Sequence, residues 1–131
     1  RLADVDVLWV SGGNTFHLLH QVRKTGFDHW LKENIDRKVY VGGSASAILM
    51  TPTIEIAELI DDNYLGLSDL TGLGYVNFEI NVHCDEAAMN LAGEYAKTRQ
   101  NPVYALDDLS AIKVIDGNVE VISGGTWKLF D

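Results

Sequence analysis

The sequence predicts a three-layer α/β domain on a mostly parallel sheet, with an antiparallel C-terminal edge. Three observations carry that expectation. Apolar, β-branched runs such as "DVDVLWV" (Asp4–Val10) and "KVYVG" (Lys38–Gly42) suit strands covered on both faces. Glycine turns join these runs to segments with helical spacing. Past Ser110 the pattern changes to short strands separated by Asp116-Gly117 and Gly124-Gly125, both turn signals.

Element by element, Asp6–Val10 reads as a strand and "SGGN" as a turn. Thr15–Lys24 reads as a helix, because Phe16, Leu18, Leu19 and Val22 recur at helical spacing. Phe27–Asn34 is a second, short helix with Phe27, Trp30 and Leu31 on one side. Val39–Gly42 is a strand, and Ala45–Met50 opens a helix that Pro52 stops. Thr53–Leu70 is acidic and mixed and carries no assignable period. "GYVNFEINVH" alternates like a strand ending at His83. Asp85–Arg99 is amphipathic, with Ala88, Leu91, Ala92 and Tyr95 expected inward. Val103–Leu106 is a strand. Ser110–Ile115, Val119–Ser123 and Thr126–Phe130 read as an antiparallel meander.

The 131 residues suffice for one compact domain, residues 1–131. A hydrophobic fraction of 47% and a charged fraction of 22% are ordinary for a globular protein. The net charge of -9, with no basic cluster longer than Arg23-Lys24 or Arg37-Lys38, argues against a nucleic-acid or anionic-membrane surface. No apolar run approaches the ~20 residues of a membrane span. Cys84 is the single cysteine, so no internal disulfide forms and a reducing, cytoplasmic compartment fits. The chain opens on Arg1, and an apolar strand of the central kind follows almost at once. Parallel strands need parallel neighbours, which only "KVYVG" and "PVYAL" offer. The sequence therefore reads as the C-terminal portion of a larger domain lacking its N-terminal part.

"GGSAS", Gly42–Ser46, has the strand–turn–helix context of a nucleophile elbow. A serine on so sharp a turn points its hydroxyl out of the sheet, and small neighbours let strand and helix close around it. The free N–H groups of the following helix can stabilise an oxyanion. The alternative is a glycine-rich turn in which Ser44 caps a helix. A second glycine turn, "VSGGNTF" (Val10–Phe16), offers a second oxyanion donor or, alternatively, a phosphate cradle or plain turn. It lacks the lysine of a phosphate-binding loop.

A serine nucleophile needs a base. His17 and His20 share a helix face and read as surface residues; a two-histidine metal site lacks a third ligand. His29, beside Trp30, reads as structural. His83 ends a strand, where active sites gather in α/β sheets, and is the best candidate, although position alone favours the alternative of a satisfied core histidine. Cys84 has no glycine turn to expose it and reads as a buried free thiol. Asp107 and Asp108 end another strand, and Asp108 would complete a Ser–His–Asp set, with a surface turn as the alternative.

Together these segments resemble peptidase E (the α-aspartyl dipeptidases) and the cyanophycinases. "VSGGNTFHLL" resembles the family's V-G-G-G-N-T-F-x-L-L, and "YVGGSASAI" its G-x-S-A-G-A elbow. "INVH" resembles I-N-P-H, and "ALDDLSAI" the segment carrying the acidic triad member. Four motifs in one order are far more specific than any one alone. The resemblance implies a class I glutamine amidotransferase-like fold, Ser44 as nucleophile, His83 as general base and Asp108 as third member, a glutamate in the aspartyl dipeptidases. It also implies Gly13 and Ala45 as oxyanion N–H donors. Ser46 departs from the elbow glycine, and the region after His83 is shorter than in the aspartyl dipeptidases. The arginine that those enzymes carry between histidine and acid has no counterpart beside Glu86-Ala87-Ala88.

The expected function is a serine hydrolase cleaving small peptides through an acyl-enzyme on Ser44, with no metal or organic cofactor. An esterase on the same site and a non-catalytic binding module are the alternatives. The expected partners are a small peptide, the chain's own preceding segment and, at most, a second copy in a homodimer.

Overall fold

The computed structural model describes residues 1–131. Strand β1 (Val7–Val10) buries Leu8 and leads through the first glycine turn into helix α1 (Thr15–Thr25). Asn14 starts α1 by accepting the His17 N–H, and Gly26, left-handed at φ 77°, ends it. Helix α2 (Phe27–Asn34) follows directly. Strand β2 (Val39–Gly42) pairs parallel with β1, from Val7 against Val39 to Val10 against Gly42. The second glycine turn then opens the single turn of helix α3 (Ala45–Ile48).

Segment 53–71, without period in the sequence, is a loop closed by a bridge between Thr53 and Thr71 and containing the 3₁₀ helix Glu55–Leu59. Strand β3 (Glu79–Asn81), helix α4 (Glu86–Ala96) and strand β4 (Val103–Leu106) form a right-sized β–α–β unit, with β3 and β4 parallel. Strands β5 (Ser110–Ile115) and β6 (Asn118–Ser123) form a hairpin, and β7 (Trp127–Phe130) pairs antiparallel with β4. The main core gathers Phe16, Leu19 and Val22 of α1, Ile48 and Leu49 beside α3, Ile54, Ile56 and Ala57 of the loop, and Val103 of β4.

Four expectations change. The strand ending at His83 pairs only over Glu79–Asn81, because His83 itself is left-handed at φ 56° and leaves the ladder. The C-terminal meander is instead a hairpin plus a strand that returns to β4; the turn at Gly124-Gly125 is held against Asp107, which redirects the chain. Leu91 is exposed, and α4 buries Met89 in its place alongside the expected Ala92. Gly93 explains the rotation: a Cβ there would stand 3.0 Å from the Phe130 ring, so β7 meets the helix on the glycine's side. Finally, hydrogen bonding divides the strands into β1-β2, β3-β4-β7 and β5-β6 rather than one sheet. One face of β1-β2 stays open. Val7, Trp9 and Val39 share it, and Trp9 is 78% exposed. The hairpin signal at Asp116-Gly117 takes the left-handed backbone such turns require, φ 50° and 79°.

Candidate active site

The elbow forms because its neighbours are small. Ser44 holds φ 59° and ψ -117°, a combination that costs an L-residue energy. At Gly42 a Cβ would fall 2.7 Å from the Ser46 carbonyl, so only glycine lets strand and helix approach this closely. Tyr40 Oη donates to the same carbonyl at 2.8 Å. Ser46, where the resembled elbow has glycine, is fully buried; its hydroxyl lies 2.5 Å from the Val10 carbonyl and 2.9 Å from that of Gly43. The departure thus becomes a tie between the end of β1 and the elbow. Ser44 makes no side-chain cap to α3, so its hydroxyl is not spent on helix capping.

The first glycine turn lies against the elbow. A Cβ on Gly12 would stand 2.9 Å from Ser44 Cβ, which fixes glycine there by contact. Gly13 follows at φ 127°. The N–H groups of Gly13 and Ala45 find no acceptor within the chain.

His83 reaches Ser44 from β3. Asn81 pairs with Ala105, and the Cys84 N–H bonds the Leu106 carbonyl at 2.9 Å, so the residues on both sides of His83 are pinned and its side chain is thrown outward. His83 Nε2 lies 2.9 Å from Ser44 Oγ, and His83 Nδ1 lies 2.5 Å from Asp108 Oδ1. The three residues expected to act together are therefore in one hydrogen-bonded row, although they come from three different strand ends. His83 is 54% exposed at its side chain and Asp108 74%, so the row lies open to solvent.

The other candidates stand apart. His17 and His29 are exposed, and His29 packs nothing in the core. Burial pushes the Cys84 thiol up to about 11, which keeps it a thiol at neutral pH. Two residues were not found by sequence. Asp61 Oδ2 accepts from the Thr15 N–H at 2.8 Å and its hydroxyl at 2.6 Å, fastening the loop to the start of α1. Tyr64 Oη lies 2.9 Å from His17 Nδ1 beside it. Neither sits in a periodic segment, so no pattern marked them. Arg99, the one arginine between His83 and Asp108, bonds fully buried Glu79 at 3.2 Å and pairs with Glu55.

Comparison with known proteins bears on the family of the chain. The model of peptidase family S51 matches residues 1–122. An uncharacterized peptidase of Pasteurella multocida is 32% identical over 132 residues, covering 95% of this chain and 62% of its own length. A peptidase E of Nostoc sp. is 31% identical over 98% of this chain and 57% of its own length. Among solved structures, a candidate peptidase E of Listeria monocytogenes superimposes with a TM-score of 0.81 at 26% identity, over 95% of this chain and 62% of that one. The chain thus spans about 60% of the length of these relatives.

Proposed function

The chain belongs to peptidase family S51, and on that premise we propose that it is a serine-type peptidase that cleaves small peptides through an acyl-enzyme on Ser44. The observation that carries the reading is the unbroken row Ser44 Oγ–His83 Nε2, His83 Nδ1–Asp108 Oδ1.

The chemistry follows from the geometry. With Nδ1–H donated to Asp108, the His83 Nε2 lone pair faces Ser44 and takes its proton as Oγ attacks the peptide carbonyl. The oxygen that gains charge is met by the N–H groups of Gly13 and Ala45, which stand without acceptors on the two glycine turns flanking Ser44. His83 returns the proton to the leaving amine. Water then repeats the attack on the ester at Ser44, with His83 again as base, and regenerates the hydroxyl.

Hydrolysis of dipeptides and aminoacyl-nitroanilides by the protein and by Ser44→Ala tests the reading. Loss of turnover by about 10⁴-fold or more with an unchanged far-UV spectrum is expected, the scale of other triad-serine removals. Turnover by Ser44→Ala at the wild-type rate refutes it.

A further inference from the structure

Asp108 stands at the tip of a three-residue turn between Leu106 of β4 and Ser110 of β5, and its only side-chain partner is His83. A single solvent-exposed contact of this kind is too weak by itself to hold a turn in one geometry. Something else must aim Asp108.

We propose that Asp107 is a positioning residue, whose carboxylate clamps the turn from both sides and so aims Asp108 at His83 Nδ1. The inference rests on the peptidase reading of the Ser44–His83–Asp108 row. Both carboxylate oxygens are used. Oδ1 accepts from the Leu109 N–H at 3.0 Å and the Ser110 hydroxyl at 2.7 Å, beyond Asp108 in the chain. Oδ2 accepts from the Thr126 N–H at 2.6 Å, just ahead of the strand that returns to β4. The Asp107 N–H bonds the Thr126 carbonyl at 3.2 Å, so the two segments are tied twice. A further layer backs the clamp: Ser123 Oγ lies 2.6 Å from Ser110 Oγ and accepts the Gly125 N–H at 3.0 Å.

The fit is tight enough to dictate a glycine. A Cβ on Gly125 would stand 2.1 Å from Asp107 Oδ2. The Ser110 hydroxyl and the Thr126 N–H also hold the Asp107 carboxyl below the usual carboxylate range, so it carries its charge at neutral pH. Asn at this position would turn an amide N–H₂ toward the Leu109 and Ser110 donors or the Thr126 N–H, donor against donor.

The test uses the full chain labelled with ¹⁵N-histidine, read by long-range ¹H–¹⁵N correlation at pH 8, alongside steady-state kinetics. In the wild type His83 should be the Nδ1–H tautomer alone. In Asp107→Asn it should be a mixture, with kcat lowered roughly 10- to 100-fold, the cost of a small misplacement at a catalytic group, and KM within about twofold. Gly125→Ala keeps every hydrogen-bonding group and should reproduce both changes by displacing the carboxylate, yet add little in an Asp107→Ala background. Unchanged His83 tautomer and kcat in Asp107→Asn and Gly125→Ala overturn the proposal. If the wild type neither turns over peptides nor reacts at Ser44, the peptidase reading fails, while the tautomer spectra still decide whether Asp107 aims Asp108.

Discussion

Ser44 and His83 meet at 2.9 Å, Oγ to Nε2, and both hold a positive φ, 59° and 56°. Asp116, in the hairpin turn, is the third such non-glycine residue. Unfavourable backbone of this kind costs about 1–3 kcal/mol per residue and persists only where surrounding bonds impose it. Here they do: the Gly43 N–H bonds the Val10 carbonyl at 3.2 Å, and Cys84 is tied to Leu106.

Ser44→Gly should therefore stabilise the fold while removing activity. Strain relief outweighs the extra chain entropy of glycine, about 0.5–1 kcal/mol, for a net gain of about 1 kcal/mol. Urea unfolding measures it, and a lower midpoint for Ser44→Gly contradicts the strain argument.

Asp108→Asn should keep the fold and lower kcat by roughly 10⁴-fold if the serine-protease case carries over, because an amide can hold His83 in the wrong tautomer. Asp108→Asn with full activity would remove the third member from the mechanism and return the residue to a surface turn.

The substrate's first residue should not need to be aspartate. Fixing a substrate carboxylate takes a well-placed cation, best an arginine. Arg99 is committed to Glu79 and Glu55. A dipeptide panel differing only at the first residue should show less than a hundredfold spread in favour of aspartate; a larger advantage, about 2.7 kcal/mol of selective binding, contradicts this.

Cys84 should be silent toward thiol reagents. Burial raises its pKa to about 11, so at pH 8 only ~0.1% is thiolate. Iodoacetamide should leave the native protein unmodified and active, and should label Cys84 after unfolding in urea. Rapid native labelling coupled to lost activity would bring the cysteine back into the mechanism.

The open face of β1-β2 should make the 131-residue chain self-associate. Val7, Trp9 and Val39 expose an apolar strip of the kind that drives aggregation. Sedimentation should show concentration-dependent association that Trp9→Lys with Val39→Lys suppresses. A concentration-independent monomer refutes this.

Much of the fold was legible where one physical signal dominated. Apolar runs fixed β1, β2 and β4, helical spacing fixed α1 and α2, and Asp116-Gly117 fixed its turn. Ser44, His83 and Asp108 each follow a strand, but position alone did not single them out; the resemblance to peptidase E through four motifs in one order did, and the fold brings the three within hydrogen-bond distance. What escaped depended on contacts distant in sequence. Leu91 and Ala92 fit an inward face equally well until Phe130 packs on Gly93. The return of β7 to β4 is set by the Asp107–Thr126 bonds, and Asp61 caps α1 from a loop 46 positions away. None of these partners is marked by period or composition.

The central claim is that Ser44 is a nucleophile activated by His83, and covalent labelling with an organophosphonate probe, read by intact-protein and peptide mass spectrometry, tests it most directly. One adduct per chain is expected, on the peptide containing Ser44, absent in Ser44→Ala and strongly slowed in His83→Ala. No adduct on the folded protein, or an adduct that survives Ser44→Ala, contradicts it.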